Sequence, residues 1–127
     1  MPETCARWNV TKDGLIGDAE ADYLLDTKLI PYTEDRFRDD ALVFKDLKST
    51  KISIKSNKNA HAVTMDFVGW PYFGIWSKPG GAPFICLEPW HGIADHMDHD
   101  GDLMTKEGMM PLEPGLSFCC EYGLTFT

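Results

Sequence analysis

Leu116-Ser117-Phe118-Cys119-Cys120-Glu121-Tyr122-Gly123-Leu124-Thr125-Phe126 holds the cleanest alternation in the chain. Phe118, Cys120, Tyr122, Leu124 and Phe126 recur at a spacing of two, the period that places side chains on one face of a strand. The stretch therefore reads as a closing strand. Thr50-Lys51-Ile52-Ser53-Ile54-Lys55 repeats that period, Asn57-Lys58-Asn59 reads as a hairpin turn, and His61 to Val68 as the antiparallel partner. Cys5 to Val10 forms a plausible first strand. Phe73-Gly74-Ile75-Trp76 and Pro83 to Glu88 add two more, joined by the turn Pro79-Gly80-Gly81. Ala41 to Phe44 is a short apolar segment, and helical periodicity is almost absent. Residues 18–40 are acidic and irregular, either a long loop or a short helix. These patterns predict an all-β fold, an antiparallel β-sandwich.

The 127 residues suit a single domain, 1–127, and 43% of them are hydrophobic, enough to bury a core. Twenty acids against twelve Lys and Arg give a net charge of -8. That balance, with no basic stripe, argues against nucleic acid and against an anionic membrane surface. No apolar run is long enough to span a bilayer. The start, Met1 to Trp8, lacks the apolar segment of a signal peptide, so a cytoplasmic protein is expected. Cys5, Cys86, Cys119 and Cys120 follow neither a disulfide-scaffold nor a zinc spacing. Reduced structural thiols are expected, with Cys86 acting as a small buried hydrophobe.

The chemistry concentrates in Phe84-Ile85-Cys86-Leu87-Glu88-Pro89-Trp90-His91-Gly92-Ile93-Ala94-Asp95. An apolar run reads as a buried strand, and Pro89, with no N–H to donate, is expected to end it. Glu88 would then stand at the strand mouth beside the Trp90 face. A carboxylate held there can exchange protons with a ligand stacked on the ring.

The segment from Phe84 to Asp95 resembles the aldose 1-epimerase (galactose mutarotase-like) family, in particular its LacX-like branch. Supporting segments stand in the expected order. They are Phe37-Arg38-Asp39-Asp40-Ala41-Leu42-Val43-Phe44, Gly69 to Trp76, Lys106-Glu107-Gly108 and Leu112-Glu113-Pro114-Gly115. The resemblance implies part of an antiparallel β-supersandwich that binds a sugar on an open face. It implies interconversion of the α and β anomers of a hexose, with Glu88 as the general base. It further implies Asp40 as a substrate-binding residue, while Trp90 offers a stacking face. No metal or organic cofactor is implied. Family members are about twice this length by the same resemblance, since a supersandwich needs more chain to close its sheets. The chain thus resembles a C-terminal half. None of His61, His91, His96 or His99 matches the family's catalytic histidines. The expected partners are a small-molecule sugar and either a second copy or a complementing N-terminal half. A non-catalytic carbohydrate-binding protein is the alternative.

Each of these residues also has a plainer reading. Glu88 at a strand end can be a solvated edge acid, and Trp90 a packing aromatic. Asp40 follows Asp35 and Asp39 in an acidic run that can be a solvated face. Trp70, Phe73 and Trp76 read mostly as core. His96-Met97-Asp98-His99-Asp100-Gly101-Asp102 resembles part of a calcium loop. Met109 stands where such a loop starting at Asp98 needs its bidentate Glu, so a solvated loop is the expectation.

Overall fold

The computed structural model describes residues 2–127. Among the described residues eight strands run in chain order: β1 (Glu3–Val10), β2 (Ile16–Thr27), β3 (Leu42–Lys45), β4 (Lys51–Lys55), β5 (Ala62–Asp66), β6 (Tyr72–Trp76), β7 (Cys86–Trp90) and β8 (Gly123–Phe126). They form a five-stranded sheet of order β2-β1-β3-β6-β7 and a three-stranded sheet of order β4-β5-β8. Every strand pairing within them is antiparallel. The architecture is the all-β, antiparallel one that the alternation predicts.

β3 explains why the larger sheet holds together. Leu42, Val43 and Phe44 are consecutive and all essentially inaccessible to solvent. A strand can bury consecutive side chains only when both faces of its sheet are covered. On the inner face, Leu42 and Phe44 join Leu24, Phe37, Phe73 and Ile75, with Met65 from the small sheet and Phe67 just after β5. The Phe67 and Phe73 rings meet with centroids 4.3 Å apart, which links the two sheets. Each such buried side chain stabilises the fold by about 1.5–3 kcal/mol. On the outer face, Val43 packs with Ile16, Ala41, Tyr72 and Ile93, bordered by Trp8, Val10, Trp76 and Trp90.

Three sequence expectations change. The acidic region contains a full edge strand, β2, followed by a 3-10 turn at Glu34–Phe37 that inserts Phe37 into the core. Solvent faces most of β2, so its acids obscure the period; register shifts and positive φ at Asp22 and Asp26 mark it as irregular. The closing strand is shorter than the alternation suggests. Only Gly123–Phe126 pairs with β5, and residues 116–122 lie exposed outside any strand. Alternation describes what a strand would display, but ladder partners decide whether it forms.

Pro89 does not end β7, which continues to Trp90 with Pro89 opposite Phe73. β7 is the sheet's edge, where a residue without an N–H can be accommodated. Glu88 accordingly stands within the strand, opposite Gly74, and not at its mouth.

Candidate functional site

The β6–β7 register generates the candidate site. Tyr72 lies opposite Trp90, Gly74 opposite Glu88, and Trp76 opposite Cys86. Directly opposed residues of an antiparallel pair share a face, so these six positions form one patch on the outer face. The intervening pairs, Phe73 with Pro89 and Ile75 with Leu87, turn towards the core.

Gly74 leaves this patch without a side chain at its centre, and the indole of Trp90 uses the room. A Cβ on Gly74 would lie 2.5 Å from Trp90 Cζ2. Trp76 borders the same patch and meets Phe84 with ring centroids 5.8 Å apart. The patch opens into a cleft of about 690 Å³. Asp40, Glu88, Trp76 and Trp90 line it, with Ile16, Val43 and Ile93 among the apolar walls. That volume falls within the range of small-molecule sites.

Asp40 lies on the turn between Phe37 and β3, just past the Trp76 end of the β3–β6 ladder. Its φ is +90°, unusual for a residue with a side chain. The Ala41 N–H donates to Asp40 Oδ1 at 2.7 Å, and the Asp40 N–H donates to the Phe37 carbonyl at 3.2 Å. These bonds hold the turn that brings the carboxylate to the cleft.

The segment after β7 walls the outer face. The Ile16 N–H donates to the Asp95 carbonyl and the Met97 N–H to the Ile16 carbonyl, both at 2.8 Å. Lys106 pairs with Asp95 at 2.7 Å, and Lys45 with Glu107 at 2.7 Å. Lys45 Nζ also lies 3.7 Å from the Trp8 ring centroid. Burial raises the Tyr72 hydroxyl's pKa, and the neighbouring Glu107 carboxylate raises it further. Lys106 holds the Asp95 carboxyl below the usual range.

Glu88, Asp40 and Trp90, the residues singled out from sequence, thus line one cleft. Trp76 joins them, although its sequence reading is core. The signal for it is a period-two match, Tyr72-x-Gly74-x-Trp76 against Cys86-x-Glu88-x-Trp90, visible once those strands are known to pair. Cys86 differs from its expectation too. It is half-buried and next to Glu88, and burial followed by that carboxylate raises its thiol pKa.

Among the described residues, no Lys, Arg, His or Tyr side chain lines the cleft. His91 packs on Trp70 and Phe118, with ring centroids at 4.3 and 5.0 Å. His99 Nε2 lies 3.0 Å from the Asp102 carbonyl, and the Asp98 N–H donates to His96 Nδ1 at 3.2 Å. His61 borders a separate polar depression on the small sheet. Among the described residues, no three His, Cys, Asp or Glu side chains converge to hold a metal. No helix among them is long and apolar enough to cross a membrane.

Comparison with known proteins gives this geometry its relatives. The plasmid and chromosomal LacX proteins of Lactococcus lactis subsp. lactis are each 31% identical to the chain over 78 residues. A galactose mutarotase related enzyme from Lactobacillus acidophilus superposes on 98% of the chain with a TM-score of 0.80 and 36% identity. The chain is related to LacX and to galactose mutarotase-like proteins. A galactose mutarotase-like protein from Lactobacillus casei shares the fold, with a TM-score of 0.74 over 97% of the chain at 24% identity. No protein-family model matches. The likeness is partial in one direction: the chain covers 26% of each LacX protein and 42% and 41% of the two solved chains.

Proposed function

We propose that the cleft binds a hexose and that Glu88 serves as the general base in exchanging its anomers. The observation behind this reading is that two carboxylates and two indoles line one open cleft, in a chain related to galactose mutarotase-like proteins. Trp76 and Trp90 offer apolar faces for sugar C–H groups, and Asp40 accepts a hydroxyl hydrogen. Glu88 removes the proton from the anomeric hydroxyl as the bond from C1 to the ring oxygen breaks. The ring oxygen takes a proton from an acid, leaving an open-chain aldehyde. Rotation about C1–C2 and closure on the other carbonyl face return both protons and give the second anomer.

The acid is the element this chain lacks at the cleft among its described residues. We assign it to a second polypeptide segment, since the chain covers only 42% of the L. acidophilus protein it resembles. The absence of that acid also favours a second reading, sugar binding without turnover.

Exchange spectroscopy on the α and β anomers of glucose and galactose separates the two. Acceleration by the wild type that disappears in Glu88→Gln supports the base assignment. Saturable binding of either sugar without acceleration supports the binding reading. Neither binding nor acceleration, with the protein folded, removes both.

A further inference from the structure

Cys119 and Cys120 are consecutive, and both are exposed. They lie outside any strand, so no ladder holds their side chains on opposite faces of a sheet. The other two thiols stand apart from them. Cys5 packs against the inner core, and Cys86 is half-buried in β7. Thiol chemistry open to solvent in the folded chain therefore concentrates at two adjacent residues.

The link that carries them is held at both ends. On one side, the Phe118 ring meets His91 edge-on with centroids 5.0 Å apart. On the other, Tyr122 meets Trp70 at 6.4 Å, and the Trp70 Nε1–H donates to the Glu121 carbonyl at 2.8 Å. Trp70 and His91 stack on each other at 4.3 Å, so both anchors belong to one aromatic cluster. Cys119 and Cys120 form the short span between the anchors. Whatever draws the two sulfurs together must turn that span, and the turn is felt at His91 and Trp70.

Geometry and donor count decide what such a pair can hold. Adjacent Cα atoms are about 3.8 Å apart across a trans peptide, below the roughly 4.4–6.8 Å of ordinary disulfides, so direct S–S closure is strained. A larger soft atom placed between the sulfurs avoids that constraint. Among the described residues no third His, Cys, Asp or Glu side chain converges with the pair, so a four-coordinate structural zinc is not served. The acceptor must be satisfied by two sulfurs alone. We propose that Cys119 and Cys120 form a dithiol site for an organic trivalent arsenical, a soft centre with one carbon substituent and two exchangeable oxygens. Two As–O bonds break and two As–S bonds form. Each thiol proton leaves with a hydroxide as water, and arsenic remains trivalent, so no oxidant or reductant enters.

The test uses the full chain, folded and reduced, with phenylarsine oxide as the probe and intact mass spectrometry as the readout. One equivalent should be retained and should map to the peptide holding Cys119 and Cys120. Ethanedithiol should remove it, while a monothiol at the same thiol concentration should not. Cys119→Ser and Cys120→Ser, both at exposed positions, should each weaken retention about 10²-fold or more, the scale of losing an intramolecular second bond. The His91 ring protons should shift in NMR spectra on binding, with those of His61 on the small sheet unmoved. Retention by either serine variant as tight as by the wild type overturns the site. So does an adduct that maps to Cys5 or Cys86, or no adduct at all. One bound equivalent with unmoved His91 resonances overturns the part given to the aromatic anchors. None of these readouts involves sugar, so the result is independent of the cleft's proposed chemistry.

Discussion

The indole of Trp90 stands where a side chain at position 74 would stand, with Cζ2 2.5 Å from the place of a Gly74 Cβ. β6 and β7 therefore determine the shape of the cleft jointly: one strand supplies the aromatic and the other the empty position beside it. Gly74 lies opposite Glu88 in the same ladder, so the freedom of the ring and the placement of the carboxylate are coupled.

Gly74→Ala tests that coupling. The added methyl must push the ring aside, and forced overpacking of this kind costs about 1–3 kcal/mol. The expected outcome is a lower urea midpoint, shifted tryptophan emission and weakened sugar binding. Unchanged emission with full stability would show that Trp90 does not rest on this position.

Glu88→Gln keeps the side chain's shape and removes its basicity. Under the proposed mechanism the complete site loses about 10²–10⁴ in anomer exchange rate, the usual contribution of a general base. Sugar affinity falls much less. Trp76→Ala and Trp90→Ala should do the opposite, weakening binding titrations more than the exchange rate of bound sugar.

Glu3 is a structural carboxylate with a pH signature. Burial pushes its pKa up, but hydrogen bonds from Ser49 and Lys48 outweigh burial and hold it below the ordinary value. The Ser49 N–H donates to Oε2 at 2.9 Å and the Lys48 N–H to Oε1 at 3.4 Å. A carboxyl with a lowered folded pKa stabilises the fold above its unfolded pKa. That contribution is lost as pH falls through the folded value. Glu3→Ala should cost about 1–3 kcal/mol near neutral pH by leaving partly buried N–H groups unpaired. Its melting temperature should converge with that of the wild type on acidification below about pH 4. Parallel curves at every pH would rule out a role for the charge.

The thiols divide into two classes. Cys119 and Cys120 are exposed. Burial, then the Glu3 charge, pushes the Cys5 thiol up to about 11, and Cys86 is raised as well. Thiolate is the reacting form, so a disulfide reagent at neutral pH should consume Cys119 and Cys120 first. Cys5 and Cys86 should react fully only after unfolding. Rapid reaction of Cys5 in the folded protein would contradict its packing against the inner core.

The sequence shows its strands where one face meets water and the other does not. Ile52 and Ile54 alternate with Lys51, Ser53 and Lys55, and the β4–β5 hairpin is legible for that reason. β2 is hidden because an edge strand with acids on its exposed positions carries no apolar period. Leu116 to Tyr122 errs the other way, alternating without a neighbour to pair with.

By itself the sequence determined the all-β class, the hairpin and Glu88 beside Trp90 as candidate chemistry, while Asp40 entered only through the family resemblance. Local periodicity and side-chain type depend on residues close along the chain, so no tertiary knowledge is needed to see them. Only the tertiary structure decided that Pro89 lies within an edge strand, that Trp76 borders the cleft, and that Gly74 yields its space to Trp90. It alone also decided which apolar residues remain uncovered. Register and layer packing join residues distant in sequence, and a side chain acquires its face and its neighbours only when those partners are in place.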